Sequence, residues 1–399
     1  MADISGRVAS GYERVREVFA EDFRSRDEVG AALAVVVQNE LVVDLWGGIA
    51  NKEKNRPWAE ETLVTMFSTT KGMSGLAAAH AHSRGLFDFD ERVSTYWPEF
   101  AQNGKNDITV RTLLSHQAGL CAIDEPLDLE RLADPDEMAD AIAKQAPAWE
   151  PGRKHGYHGI TLGWYESELI RRTDSQHRTV GRYFADEIAG PLGLEFYIGL
   201  PDEIPDERLA RIEADWFRVK MILNLRTLPP EFVKGFLNPR SITARTLANP
   251  KVLSQPIRYN DRAFLRIELP SHNGTGTARS VALAYGEFAT GGKRLGVDAE
   301  TLAALGEPAV APADGFFDEV LRMDLAYSLG FGKPLPGEDF GFPRAFVHGG
   351  TGGSFGGAVP ELEMGYCYAM NRLGFHFPED PRELALREAA IEAAKAQLG

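Results

Sequence analysis

A serine and a lysine three residues apart, Ser68 and Lys71, stand between an extended segment at 63–67 and a helix-like run at 72–84. Residues at i and i+3 share one face of a helix, so the spacing puts a hydroxyl within reach of an amine. A serine hydroxyl is a poor nucleophile until a neighbour can take its proton. A lysine confined in a partly apolar cleft loses hydration, and its amine becomes available as a base or a proton relay. Ser and Lys are common enough that about one such pair arises by chance in a chain of this size. The pair therefore needs partners from elsewhere in the sequence.

The elements that would position them can be read from periodicity. Val8, Tyr12, Val15, Phe19 and Phe23 recur at helical spacing and predict an opening amphipathic helix. Apolar runs at 31–37 and 41–46 around Gln38-Asn39-Glu40 predict a hairpin closed by Gly47-Gly48. Beyond Ser68, helical patterns broken by Pro and Gly predominate, with Asp134-Pro135 capping one helix and residues 161–172 forming another. Sheet patterns return at 345–348, 354–359 and 364–370, and a closing helix is expected from Pro381 to about Leu398. The pattern predicts a mixed α and β fold: an antiparallel sheet flanked by helices, with an inserted, mostly helical domain. The expected division is 1–67 with 280–399 as an α/β sandwich, and 68–279 as the helical domain, with a lid or insertion at 223–269. The active site would lie at their junction.

Composition narrows the partners. With 58 acidic against 43 basic residues the chain carries a net charge of −15, which disfavours a phosphate backbone as partner. Cys121 and Cys367 are the only cysteines, and they read as buried free thiols of a reducing compartment. The start of the chain lacks a basic segment followed by an apolar one, and no apolar run approaches a membrane span. A cytoplasmic protein acting on a small molecule, without nucleic-acid or membrane partners, is expected.

Three motifs in order carry a resemblance. Ser68-Thr69-Thr70-Lys71 is followed by Tyr157 after a Pro151-Gly152 turn, and then by His348-Gly349-Gly350. The segment 113–120, Leu-Leu-Ser-His-Gln-Ala-Gly-Leu, is a fourth recurrent element. In these the chain resembles class C serine β-lactamases, penicillin-binding DD-peptidases and, most closely, the family VIII carboxylesterases that share their β-lactamase/transpeptidase-like fold. The resemblance implies that Ser68 attacks an ester carbonyl while Lys71 and Tyr157 together accept its proton, a nearby ammonium favouring the phenolate. It implies that the backbone N–H groups of Ser68 and Thr351 face the oxyanion, that Gly349 and Gly350 let substrate approach the strand closely, and that no cofactor or metal takes part. Two departures bear on substrate. Gly159 stands where an asparagine amide would hold an acylamide, and His348 stands where a lysine would supply a fixed cation. A histidine of ordinary pKa is mostly neutral at pH 7. Both departures point from charged antibiotics and peptides toward short, neutral carboxylic esters with weak β-lactam cleavage. A β-lactamase or DD-peptidase, an acyltransferase of the same fold and a non-catalytic ligand sensor are the other readings.

Gly352-Gly353-Ser354-Phe355-Gly356 also matches the Gly-x-Ser-x-Gly nucleophile elbow of α/β-hydrolases. That fold places an acid and then a histidine on later elements, whereas only His376 follows here; a glycine-rich turn between strands is expected instead. The glycines at 273–277 lack the lysine of a phosphate loop and should cap the helix from Ala278. His80 with His82, and His155 with His158, lack the further ligands of a metal site. His116 and His158 read as structural, and Asp88, Asp90 and Glu91 as a solvated turn.

Overall fold

The computed structural model describes residues 3–214, 223–338 and 342–398. Met1 and Ala2, at the start read above for a signal, and residues 215–222 of the expected helical region lie outside them. Among the described residues the centre is a nine-stranded antiparallel sheet. Its strands are β1 (Ile4–Val8), β2 (Gly30–Val37), β3 (Glu40–Asn51), β4 (Ala326–Ser328), β5 (Phe331–Lys333), β6 (Phe346–Gly349), β7 (Phe355–Val359) and β8 (Met364–Met370). They run in the order β1-β3-β2-β8-β7-β6-β5-β4, and Arg56–Pro57 adds to β3. The fold is the mixed α and β arrangement that the sequence predicts.

The register follows from burial. Every residue of β8 is buried, as are seven of the eight in β2, so the two central strands are covered on both faces. Side chains alternate across a strand. On one face of β8, Gly365 lies so close to helix α4 (Ala278–Ala289) that a Cβ would sit 2.2 Å from the Ala282 carbonyl oxygen. On the other face Tyr366 Oη donates to the Glu383 carbonyl of helix α5 (Pro381–Leu398). Burying each Val or Leu contributes about 1.5–3 kcal/mol, and a one-residue slip would turn that set outward. The β2–β3 hairpin turns on Gln38 and Asn39, both at positive φ, and β3 begins at Glu40, the geometry of a tight two-residue turn.

Helix α1 (Glu13–Ser25) buries Val15 and Phe19 as its spacing predicts, and Val18 beside them. Val8, expected to start this helix, instead ends β1 and pairs with Val43. The reason is local: β1 is an edge strand with three exposed central residues, so it shows no alternation that would reveal it. A second, three-stranded sheet joins Val64–Thr65 through Thr275–Gly276 to Phe196–Tyr197. The glycine-rich stretch thus supplies a central strand as well as the cap at Thr277, whose side chain accepts from the Ser280 N–H. The strand Val64–Thr65 of that sheet leads the chain into helix α2 (Thr70–Ser83), against which packs α3 (Leu162–Thr173). Residues 223–269 fold as short helices, among them Pro230–Leu237, Ile242–Ala248 and Arg262–Arg266. No described helix is long and apolar enough to cross a membrane.

Candidate active site

The turn that carries Ser68 is strained and held from three sides. Phe67, the residue before Ser68, has φ of 47°, a conformation that costs a non-glycine residue about 1–3 kcal/mol. Its ring is buried against Tyr259 at 4.6 Å. The Met66 N–H donates to the Gly274 carbonyl at 2.9 Å, tying the turn to the small sheet. The Met66 carbonyl accepts from Ser354 Oγ at 2.8 Å, and Ser354 Oγ also shares a hydrogen bond with Thr69 Oγ1 at 3.0 Å. Ser354, the serine of the rival Gly-x-Ser-x-Gly motif, is therefore a buried clamp on the turn that presents Ser68.

Lys71 lies fully buried one step along. Its Nζ has three partners: Ser68 Oγ at 3.1 Å, the Gly159 carbonyl at 2.7 Å and the Ser271 carbonyl at 3.0 Å. Two are carbonyl oxygens, which only accept. A neutral amine satisfies both with its two N–H bonds and aims its lone pair at the Ser68 hydroxyl. Burial drives Lys71 toward that form, lowering its pKa to about 7 against the opposing pull of Glu166.

Tyr157 stands beside this pair, with Lys71 Nζ 5.0 Å from its ring centroid. Its backbone N–H donates to Asp318 Oδ2 at 2.8 Å, and Asp318 Oδ1 accepts from Val320 and Leu321 N–H. Burial raises Asp318 to about 6, with these three hydrogen bonds working against it. The Tyr157 ring stacks on Tyr327 at 5.9 Å and contacts His116 and His348. An ammonium was expected to favour the phenolate; here burial outweighs a hydrogen bond with Ser68 and pushes the phenol above its ordinary range. The phenol remains protonated, and Lys71 is the group poised near neutrality.

The third motif ends β6 and packs, at Gly350, on the Met66 carbonyl of the turn before Ser68. His348 Nδ1 lies 2.8 Å from the Gly349 carbonyl, which fixes the proton on Nδ1 and leaves Nε2 as an acceptor. That buried Nε2 has no partner among the described residues, and burial with nearby Lys71 lowers the ring's pKa to about 3. Thr351 is in the exposed turn after β6, which ends at Gly349. One expectation changes. Gly350 serves packing rather than substrate approach: a Cβ there would fall 2.4 Å from the Met66 carbonyl oxygen and 2.2 Å from Ser354 Oγ, whereas at Gly349 the nearest atom is 3.6 Å away. Outside the helices and strands, neither the Ser68 N–H nor the Thr351 N–H has a backbone hydrogen-bond partner among the described residues. Gly159 contributes its carbonyl to Lys71 and to His272 Nε2 at 2.9 Å. A Cβ on Gly159 would make only ordinary contacts, at 3.4 Å or more, with Tyr157 and Thr246.

His116 holds the loop, its Nδ1 accepting from the His158 N–H at 2.9 Å. Sequence reasoning missed Asp318, Ser271, His272 and Glu166. Ser271 acts through its carbonyl, which no residue type announces. Glu166 left a usable signal, because it lies on the apolar stripe of α3, four residues after Leu162 and three before Leu169, all buried. No described group of three or more His, Cys, Asp or Glu is placed to hold a metal ion.

Comparison with known proteins speaks to the family and the fold. The Beta-lactamase family model matches residues 15–391. The chain is 31% identical over 384 residues to the esterase/beta-lactamase LipL of Mycobacterium tuberculosis, covering 93% of this chain and 83% of that one. Among solved structures, a family VIII carboxylesterase superposes with a TM-score of 0.84 at 35% identity, over 98% of this chain and all of that one. A penicillin-binding protein homolog from Caulobacter crescentus gives 0.82 at 32% identity, again over 98% and 100%. The matched family, the relatives and the fold agree: this chain belongs to the beta-lactamase family.

Proposed function

We propose that the protein hydrolyses short-chain, neutral carboxylic esters through an acyl-enzyme on Ser68. That it is a carboxylic ester hydrolase is supported by its esterase relatives. The observation that carries the mechanism is the hydrogen-bond set of Lys71, two carbonyls and one hydroxyl. Lys71 Nζ takes the Ser68 proton as Oγ bonds to the ester carbonyl carbon. The oxyanion so formed accepts from the N–H groups of Ser68 and Thr351. As the C–O bond to the alcohol breaks, the proton returns to the leaving oxygen from Lys71 by way of the Tyr157 hydroxyl. Water, deprotonated by the same relay, then attacks the acyl carbon and frees Ser68.

The substrate reading rests on what faces the cleft. His348 is neutral and Gly159 offers no amide, so a substrate carboxylate would lose hydration without a fixed cation to offset it. That penalty is about 1–3 kcal/mol, or roughly tenfold to a hundredfold in binding. Tyr157, Phe232, Ile242 and Phe377 pack against a small apolar cluster of Cys121, Val320 and Leu321, a surface suited to a short acyl or alkyl group. The two buried free cysteines suit a reducing compartment, the cytoplasm. The test is a series of p-nitrophenyl esters of rising acyl length beside a chromogenic cephalosporin. Acetate and butyrate should give the highest kcat/KM, with activity falling beyond about six to eight carbons and the cephalosporin slow. A cephalosporin turned over more efficiently than either short ester would contradict the proposal.

A further inference from the structure

Lys71 Nζ rests on two carbonyl oxygens, and two consecutive residues govern both. Ser271 offers its own carbonyl at 3.0 Å. His272 reaches the other: its Nε2 lies 2.9 Å from the Gly159 carbonyl, which Lys71 Nζ meets at 2.7 Å. A carbonyl oxygen has two lone pairs and accepts from both donors. The segment that carries them is itself fixed. Ser271 Oγ accepts from the Gly163 N–H of α3 at 2.8 Å, and the His272 N–H donates to the Leu269 carbonyl at 2.9 Å.

Because a carbonyl only accepts, the His272 proton is on Nε2, and Nδ1 of the neutral ring is an acceptor. Burial, with Lys71 nearby, keeps the ring neutral by pushing its pKa down to about 3. Nδ1 lies 3.2 Å from Tyr259 Oη, which donates to it. The Leu253 carbonyl lies 3.3 Å from the same hydroxyl, but a proton turned that way would set two lone pairs against each other at Nδ1. Tyr259 is buried, its ring against Phe67 at 4.6 Å and Phe264 at 5.1 Å. A chain of hydrogen bonds therefore runs from the short helices at 223–269 through His272 to an acceptor of Lys71.

The Gly159 carbonyl belongs to the turn that carries Tyr157. The Gly159 N–H donates to the Tyr157 carbonyl at 2.8 Å, closing three residues into a tight turn. A glycine puts few steric limits on its own peptide, so the direction of this carbonyl is set by its donors. With Lys71 alone, carbonyl and amine could swing together. His272, held on another element, fixes the carbonyl independently of the lysine.

We propose that His272 is a positioning residue for the reaction: it holds the Gly159 carbonyl so that the Lys71 amine turns its lone pair to Ser68, with Tyr259 fixing the imidazole tautomer. This rests on the reading of Ser68 and Lys71 as nucleophile and base. His272 acts through the shared carbonyl, so its loss slows proton transfer and leaves ester binding alone.

The experiment measures kcat and KM for p-nitrophenyl acetate, per Ser68 site counted by organophosphonate labelling, in the wild type, His272→Met, His272→Gln and Tyr259→Phe. His272→Met keeps the bulk and removes the donor. Its kcat should fall by about tenfold to a hundredfold, the scale of a misplaced catalytic group, with KM within about threefold of wild type. His272→Gln returns an N–H near the place of Nε2 and should recover kcat to within about threefold of wild type. Tyr259→Phe keeps the ring on Phe67 but frees the tautomer, and should lower kcat several-fold; it replaces His272→Met if that variant does not fold, and wild-type kcat there then overturns the proposal. Wild-type kcat in His272→Met, a His272→Gln as slow as His272→Met, or a rise in KM without a fall in kcat overturns it as well, with Ser68 and Lys71 untouched. If wild-type Ser68 takes no label, the nucleophile reading fails and this inference with it.

Discussion

Two buried clusters of ionisable groups in this molecule follow opposite rules. Beneath β8, Arg382 donates to both oxygens of Asp380, to Glu28 and to the Gly352 and Arg372 carbonyls, while Arg387 pairs with Glu383. Every acid there faces a cation. Around Lys71 one cation and one acid share a pocket without touching, and nitrogens of His116, His158 and His348 are buried without partners. The first arrangement ties α5 to the sheet. The second stabilises little, and its lack of compensation is what brings Lys71 down to about 7. Matched burial holds this fold together, and unmatched burial leaves an amine that gives up its proton near neutrality.

The comparison breaks most sharply at the relay. Lys71→Ala and Tyr157→Phe should each lower kcat by about a hundredfold or more, the scale of general-base catalysis, with folding retained by circular dichroism. Because the two act on one proton, the double variant should be little worse than either single. Multiplicative losses in steady-state kinetics would mean that only one of them handles it.

The matched cluster should respond in stability instead. Arg382→Met leaves Glu28 and Asp380 buried without their cation, at a cost of about 3–5 kcal/mol in a urea titration. The kcat per active site, counted by phosphonate titration of the folded fraction, should stay within about threefold of wild type. A large fall in kcat per site with stability unchanged would erase the distinction between the clusters.

The pH profile sharpens the second rule. With Lys71 at about 7 and required neutral, kcat/KM for p-nitrophenyl acetate should rise through an acid limb with a midpoint near pH 7. The sign follows from the base: below the midpoint Nζ is an ammonium and cannot take the Ser68 proton. The phenol, held above its ordinary range, should add no alkaline fall below about pH 10. A limb centred in the ordinary carboxylate range would assign the base elsewhere.

Smaller changes are expected from the rim. Gly159→Asn meets only ordinary contacts at its Cβ and should shift the ratio of cephalosporin to ester kcat/KM upward, by about tenfold. His348→Lys, replacing a neutral ring, should favour anionic substrates in the same assay. Unchanged ratios in both would separate these positions from substrate.

Much of this was legible in the sequence. Ser68-x-x-Lys71 is local, so helical geometry alone brings the pair together, and the strand at 364–370 and the closing helix at 381–398 stand where the sequence places them. Tyr157 and His348 came from motif resemblance, since no local rule links residues so far apart. What stayed hidden is of two kinds. The carbonyls of Gly159 and Ser271 bind Lys71 as backbone, and every residue type has a carbonyl. Glu166 and Asp318 draw their meaning from tertiary burial: the same acids on a surface would be solvated and silent. The edge strand β1, exposed along its middle, left no pattern at all.

The account turns on which serine carries the acyl group. Mass mapping of the organophosphonate adduct in the wild type, Ser68→Ala and Ser354→Ala tests it directly. The adduct should sit on the peptide containing Ser68, vanish along with ester hydrolysis in Ser68→Ala, and persist on Ser68 in Ser354→Ala. An adduct on Ser354, or hydrolysis surviving in Ser68→Ala, would contradict the mechanism.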